Sequence, residues 1–413
     1  MKTTPVKGTN DYLPNQAELR DYLQSKILQT YKQQGFNRIY TPILEDVENL
    51  EKSDGGDNLN LIFKVLKRGD KLTSALENKN YDNLADLGLR YDLTLPLTRF
   101  YSNNKANLPA VFKCIQIDKV YRAERPQKGR DREFVQCDID ILGSTNPNCE
   151  VELIDTTAMA LLNIGLSNFK IRINDRRILK QLLLSFGFLP EQLDSTCISF
   201  DKMDKIGAEG IKAELTEKGF NPESIKKLCE LVSNLPISLE KLTDLCGEMQ
   251  EIEQLKYIIS SVKSLAEDKY DIEFDISLVR GQGYYTGAVF EIQSKDFSCS
   301  IGGGGRYDNL VGKFTGSPVP AVGFSIGFER IYSILTAKNY INENQKQKVA
   351  IFYNQTNFVE AMKFSKNLKE KYDIALFEMP NKLGKFLNKL VELGFTNYCV
   401  FEQGEEIKEL KAF

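Results

Sequence analysis

The sequence predicts an α+β protein: a largely antiparallel sheet flanked by helices, broken by a helical insertion and followed by a small α/β domain. Three observations carry this. Short apolar runs with strand character are separated by long helical gaps through residues 1–175 and again through 269–338. Residues 176–268 shift to Lys, Glu and Leu at helical spacing, with few β-branched runs. The residues after 349 read strand, helix, strand, helix, strand. With 413 residues and 42 % hydrophobic content, the chain can build two or three packed cores.

Taken in order, Leu19, Tyr22, Leu23, Ile27, Leu28 and Tyr31 recur at helical spacing from Gln16 to about Gln34, and Gly35 stops the pattern. Phe36 to Thr41 follows as a short strand ended by Pro42. Further candidate strands are Ala110 to Val120, Phe134 to Leu142, Phe169 to Ile173, Val289 to Ile292 and Phe297 to Gly302. Ala321 to Arg330 reads as an apolar strand running into a helix that begins near Gly327. Residues 339–348 (NYINENQKQK) are mostly polar and form a candidate linker. Beyond it VAIFY, NFVEAMKFSKNLKEKY, ALFEM, NKLGKFLNKLVELG and NYCVFE predict a small parallel-sheet domain over 349–413.

Composition excludes much chemistry. The chain has no histidine, so it holds no Ser-His-Asp or Cys-His pair, no His-ligated zinc and no histidine general base. Acid and base work falls to carboxylates, Lys, Tyr and Cys, or to the substrate. Its eight cysteines include no CxxC pair, which argues against a bound zinc or a disulfide framework. The N-terminus lacks an apolar signal region, and the most apolar stretch, Ala158 to Leu166, is too short to span a bilayer. A reducing, cytoplasmic setting without membrane contact is expected. The net charge of −3 means that a polyanionic partner must be met by a local basic patch.

Four constellations could carry chemistry. Between Val120 and Phe134 five bases (Arg122, Arg125, Lys128, Arg130, Arg132) face three acids (Glu124, Asp131, Glu133). Guanidinium forks suit phosphate oxygens, while a solvated hairpin tip whose charges pair with one another explains the loop as well. Leu278 to Phe290 sets Arg280 beside glycines and Tyr284-Tyr285, where backbone can approach a ligand closely; glycines in a hairpin turn explain it nearly as well. Ile301 to Asp308 runs through four consecutive glycines ahead of a helix, with neither Rossmann nor P-loop spacing. The fourth is the strand–helix unit carrying Arg330.

The order of these segments along one chain resembles the histidyl-tRNA synthetases, a class II aminoacyl-tRNA synthetase family, over nearly the whole length. Gly35 to Glu45 is similar to motif 1, the dimer-forming element; Tyr121 to Phe134 to motif 2; and Ala321 to Arg330 to motif 3. Leu278 to Tyr285 and Gly303 to Asp308 resemble the two segments peculiar to the histidine enzyme, and Leu89 to Pro96 its substrate-binding stretch. The resemblance implies a class II antiparallel sheet with a helical insertion and a C-terminal α/β anticodon-binding domain.

It further implies a histidine–tRNA ligase that forms histidyl-adenylate from ATP, supplied as its Mg2+ complex, and transfers the histidine to the 3′ end of tRNA(His). Arg122, Glu124 and Arg330 would bind ATP, and Arg280 would sit against the α-phosphate where other class II enzymes place a metal; Arg122, Arg280 and Arg330 form the catalytic set. Asp92, Thr94 and Gln136 would hold the α-amino end of L-histidine, while Asp140 and Tyr285 grip its imidazole, with Arg280 and Tyr284 completing that site. Arg125, Gln127 and Arg132 would meet the tRNA acceptor end, and a homodimer follows from motif 1. Two departures stand out: Gln282-Gly283 replaces the commoner Leu-Asp, and Asp92 and Asp140 occupy positions where many members carry glutamate. The alternative is the non-catalytic regulatory subunit of ATP phosphoribosyltransferase, which typically lacks the anticodon domain and loses signature residues.

Overall fold

The computed structural model describes residues 1–51, 60–127, 129–280, 283–338, 340 and 346–410. It divides into two units, Met1–Asn10 with Leu23–Lys338, and Asp11–Tyr22 with Asn339–Phe413.

In the larger unit the strands are β1 (Asn37–Arg38), β2 (Leu44–Asp46), β3 (Lys64–Leu66), β4 (Ala85–Leu89), β5 (Phe112–Tyr121), β6 (Glu133–Leu142), β7 (Phe169–Asp175), β8 (Asp271–Phe274), β9 (Ala288–Ser294), β10 (Gly302–Arg306) and β11 (Ala321–Gly327). Eight of them form one sheet in the order β1-β5-β6-β11-β10-β9-β7-β8, parallel at the two edge pairs and antiparallel between. This is the mixed, helix-flanked antiparallel sheet that the sequence predicts. The ten-residue strands β5 and β6 pair from Phe112 opposite Leu142 to Tyr121 opposite Glu133, which makes Arg122 to Arg132 the connecting loop.

Side chains alternate across a strand, and β6 uses both faces. Val135, Cys137, Ile139 and Ile141 are buried in apolar packing, whereas Gln136, Asp138 and Asp140 share the opposite face and line a cavity. The apolar side meets helices, with the Tyr31 hydroxyl of helix Pro14–Gln33 donating to the Cys137 carbonyl at 3.4 Å.

One strand lies elsewhere than expected. The sequence predicts Phe297 to Gly302, but β10 occupies Gly302–Arg306, and residues 297–301 precede it. Glycine has little intrinsic strand preference; here β9 and β11 pair with it on both sides and supply the ladder. A small sheet, β2-β4-β3, escaped sequence analysis because its strands are only three to five residues long. Residues 176–266 hold helices from Arg176–Ser185 to Gln250–Ala266. Three of their starts are capped by side chains: Asp175 accepts from Arg177 N, Asn221 from Glu223 N and Ser224 N, and Ser238 from Lys241 N.

The smaller unit carries β12 (Gln347–Tyr353), β13 (Tyr372–Glu378), β14 (Asn397–Val400) and β15 (Lys408–Glu409) in the order β13-β12-β14-β15. The first three are parallel. The continuous apolar run of β12 marks a strand covered on both faces: Val349 and Ile351 pack with Ala361, and Ala350 and Phe352 with Leu390, one helix to each side. Of the linker expected at 339–348, residues 339 and 341–345 lie outside the described residues, and β12 already begins at Gln347.

Candidate active site

Strand register lays out a polar row across the sheet. Reading from β5, Gln116 stands opposite Asp138, Asp138 opposite Ser325, Ser325 opposite Gly303, Gly303 opposite Glu291 and Glu291 opposite Arg172. Above this row lies a cavity of about 680 Å³, lined wholly by residues of the larger unit.

At one end the cavity is acidic. Gln136 Nε2 donates to Ser325 Oγ at 2.9 Å, and the Tyr307 hydroxyl donates to Asp140 Oδ1 at 2.6 Å. Asp140 fits because Gly323 faces it, where a Cβ would come within 1.9 Å of its Oδ1. Burial pushes the Asp140 carboxyl up to about 7, with the Tyr307 bond pulling down and the Asp92 charge pushing up. Asp138 is raised well above the usual range by burial and then by Asp140. Asp92 precedes helix Thr94–Asn104, where its carboxylate accepts from Leu95 N at 3.2 Å and from the Tyr284 hydroxyl at 3.4 Å. Burial raises it too, against the Leu95 bond and the charge of Arg122. Thr94 lines the same end. The rings of Tyr284 and Tyr285 meet edge to face at 4.9 Å.

At the other end the cavity is basic. Arg280, with φ +63°, donates from Nη1 to Glu291 Oε2 at 3.2 Å. Burial works to lower its pKa, but neighbouring Tyr285 and Glu291 outweigh that and hold it charged. Its guanidinium lies over Gly303, where a Cβ would come within 2.3 Å of Nη1. Arg122 Nε donates to the Tyr91 carbonyl at 3.1 Å, and its guanidinium stands 5.1 Å from the Phe134 ring. Arg330 donates to the carbonyls of Gly129 and Ser300. Burial lowers the Arg330 pKa; Cys299 opposes this, while Arg130, Arg280 and Arg122 lower it further. Among the described residues neither Arg122 nor Arg330 forms an ion pair. Converging cations, two of them without a carboxylate at ion-pair distance among the described residues, make a site for a polyanion.

All the residues expected to bind ATP or histidine line this cavity, including Glu124, whose Oε2 lies 3.4 Å from Arg130 Nη1. The three residues expected to meet tRNA do not. Arg125 and Gln127 are exposed on the β5–β6 loop, tightened by mutual backbone bonds of Gln127 and Arg130. Arg132 is half-buried and donates to the carbonyls of Glu124 at 3.1 Å and Lys7 at 3.4 Å. Lys128, Gly281 and Gln282 lie outside the described residues. Sequence reasoning missed Asp138, Glu291 and Ser325. The i, i+2 spacing of Asp138 with Asp140 was a usable signal; for Glu291 and Ser325 only pairing between strands reveals the neighbourhood.

A family model described as histidyl-tRNA synthetase matches residues 8–331. The histidine–tRNA ligase of Leifsonia xyli subsp. xyli is 43 % identical over 348 residues, 80 % of this chain and 80 % of that protein. The histidine–tRNA ligase of Christiangramia forsetii is 35 % identical over 432 aligned positions, 99 % and 94 % of the two chains. Among solved structures, histidyl-tRNA synthetase from Nostoc sp. PCC 7120 superposes with a TM-score of 0.78 at 26 % identity, covering 96 % of this chain and 91 % of that one. A protein described as an ATP phosphoribosyltransferase regulatory subunit/histidyl-tRNA synthetase from Bacillus halodurans C reaches 0.79 over 97 % and 99 %, but at 21 % identity it shows shared fold alone. Sheet, cavity and relatives together define an aminoacyl-tRNA ligase. Within that class the chain belongs to the histidyl-tRNA synthetase family.

Proposed function

We propose that this protein activates L-histidine with ATP, taken up as its Mg2+ complex, and transfers it to the 3′ end of tRNA(His). The observation that carries the reading is the meeting, in one cavity, of three arginines with a buried, acceptor-rich amino-acid pocket. Arg122 and Arg280 would flank the α-phosphate, with Arg330 and Glu124 toward the rest of the nucleotide. Asp92, Thr94 and Gln136 would hold the α-ammonium. Asp140 and Tyr285 would take the imidazole nitrogens, so that a substrate lacking those groups leaves buried partners unpaired.

In the activation step a histidine carboxylate oxygen attacks the α-phosphorus, and the bond to the β-phosphate oxygen breaks, releasing pyrophosphate with its electron pair. Negative charge grows on the α-phosphate oxygens, where fixed guanidinium groups stabilise it without reorganising. No side-chain base is required, because the attacking carboxylate is already ionised; the absence of histidine from the chain is therefore no obstacle. The tRNA ribose hydroxyl then attacks the carbonyl carbon of the adenylate, its proton passing to a phosphate oxygen of the adenylate, and the acyl–phosphate bond breaks as AMP departs.

Arg125, Gln127 and Arg132 on the β5–β6 loop are proposed to meet the acceptor end, and the unit after Val349 to read single-stranded anticodon bases. Residues 176–268 are proposed as an inserted domain. A homodimer through the motif 1 region is supported by exposed apolar side chains there and on the small sheet: Tyr40 (69 % exposed), Ile43, Leu44 and Leu87. We place the protein in the cytoplasm with its substrates. The test is histidine-dependent ATP–pyrophosphate exchange and tRNA(His) charging, with Arg280→Ala alongside. Exchange with histidine alone, lost in the variant, is expected. Folded protein that exchanges with no amino acid would instead favour a non-catalytic regulatory subunit.

A further inference from the structure

Along the cavity face of β6 three acceptor oxygens on alternate residues have no hydrogen-bond partner among the described residues: Gln136 Oε1, Asp138 Oδ1 and Asp140 Oδ2. Asp138 is 4 % exposed and Asp140 3 %. Buried acceptors are costly to leave unmade, so a row of them on residues that line a cavity is suited to a ligand carrying matching donors. The proposed function already uses Gln136 and Asp140, at the ammonium and imidazole ends of histidine. Asp138 stands between them on the same face.

Neighbouring strands leave Asp138 Oδ1 open. Opposite it on β5, Gln116 commits its side chain elsewhere, donating to the Leu93 carbonyl at 2.8 Å and accepting from Thr41 Oγ1 at 2.9 Å. Opposite on β11, Ser325 Oγ already accepts from Gln136 Nε2 at 2.9 Å, and Asp138 Oδ1 has no hydrogen-bond partner among the described residues. Burial and the charges of Asp140 and Asp92 act against ionisation of Asp138, with Ser325 and Arg122 opposing. A cation brought into the cavity relieves that penalty. An ammonium group offers three N–H donors and the required charge.

We propose that Asp138 is a further binding residue for the amino acid, its Oδ1 accepting from the α-ammonium group beside Gln136 Oε1. This rests on the reading of the cavity as a histidine site. Asp138 thereby adds a charged contact that distinguishes a free amino acid from an imidazole lacking the ammonium.

The test measures equilibrium binding of L-histidine, L-histidinol and 3-(imidazol-4-yl)propionate to the full chain, to Asp138→Asn and to Asp138→Ser. Histidine and histidinol carry the ammonium; the propionate does not. Both variants are expected to bind the two ammonium ligands about 10–100-fold more weakly, with imidazolepropionate and ATP changed less than about threefold. Equal weakening of all ligands would reduce Asp138 to a structural role and overturn the proposal, as would unchanged histidine affinity. Wild-type protein that binds no histidine would refute the functional reading itself, a separate outcome.

Discussion

Gly303→Ala is the substitution whose effect follows most directly from the geometry. A Cβ at position 303 would lie 2.3 Å from Arg280 Nη1, 2.6 Å from its Cζ and 2.8 Å from the Phe290 carbonyl oxygen, where ordinary contact begins at 3.4 Å. The guanidinium must retreat by about 1 Å, a displacement of the size that costs about 10²-fold in rate when it affects a group at the reacting centre. Arg280 cannot adapt freely, because Glu291 holds its Nη1 and its backbone sits at φ +63°. The expected loss is therefore about 100-fold in kcat/KM for ATP–pyrophosphate exchange, or about 2.7 kcal/mol of transition-state stabilisation. Gly302→Ala is the control: its Cβ would crowd the Ser325 carbonyl at 2.9 Å without touching Arg280, so it lowers the melting temperature and spares the rate of the folded protein. A Gly303→Ala enzyme with kcat/KM within about threefold of wild type would refute the placement of Arg280 at the reacting phosphate.

Asp140 makes the ligand-free protein pH-sensitive. Its folded pKa of about 7 lies above the unfolded value, so the folded state binds the extra proton between the two, and the stability it contributes, full below about pH 4, is lost as pH rises through about 7. Urea unfolding at pH 5 and pH 8 should show a smaller fall for Asp140→Asn than for wild type; identical falls would count against the shift. Arg306 forms a buried two-point pair with Glu150 at 2.7 and 2.8 Å. Arg306→Met strands that carboxylate and should cost about 3–5 kcal/mol, most of it recovered in Arg306→Met with Glu150→Leu; an unaltered urea midpoint in the single variant would contradict this. Gly323→Ala drives a methyl into Asp140 and should raise KM for histidine far more than KM for ATP. With a net charge of only −3, tRNA binding must rely on local basic patches, so affinity should fall linearly in log–log plots against salt; salt-indifferent binding would argue for a different mode.

Periodicity and punctuation made much of the architecture legible. The strand–helix order after 349 predicted the parallel sheet that β12, β13 and β14 form, and the apolar run Phe134 to Leu142 predicted β6. Local sequence carries such signals because strand and helix periods are set within a few residues. Arg122, Arg280 and Arg330 could be singled out by their settings and by family resemblance. Their convergence is decided by strand pairings between residues far apart in the chain, such as Gln136 opposite Gly327, and no local pattern encodes those. Tertiary structure alone turned the glycine run into a strand, by pairing it on both sides, and cleared the space in which Arg280 lies over Gly303. It alone set Glu291 against Arg280 and Ser325 against Gln136, and left Asp138 Oδ1 without a hydrogen-bond partner among the described residues. The physical reason is register: a strand fixes which of its residues share a face, but only its neighbours determine what each of those residues meets.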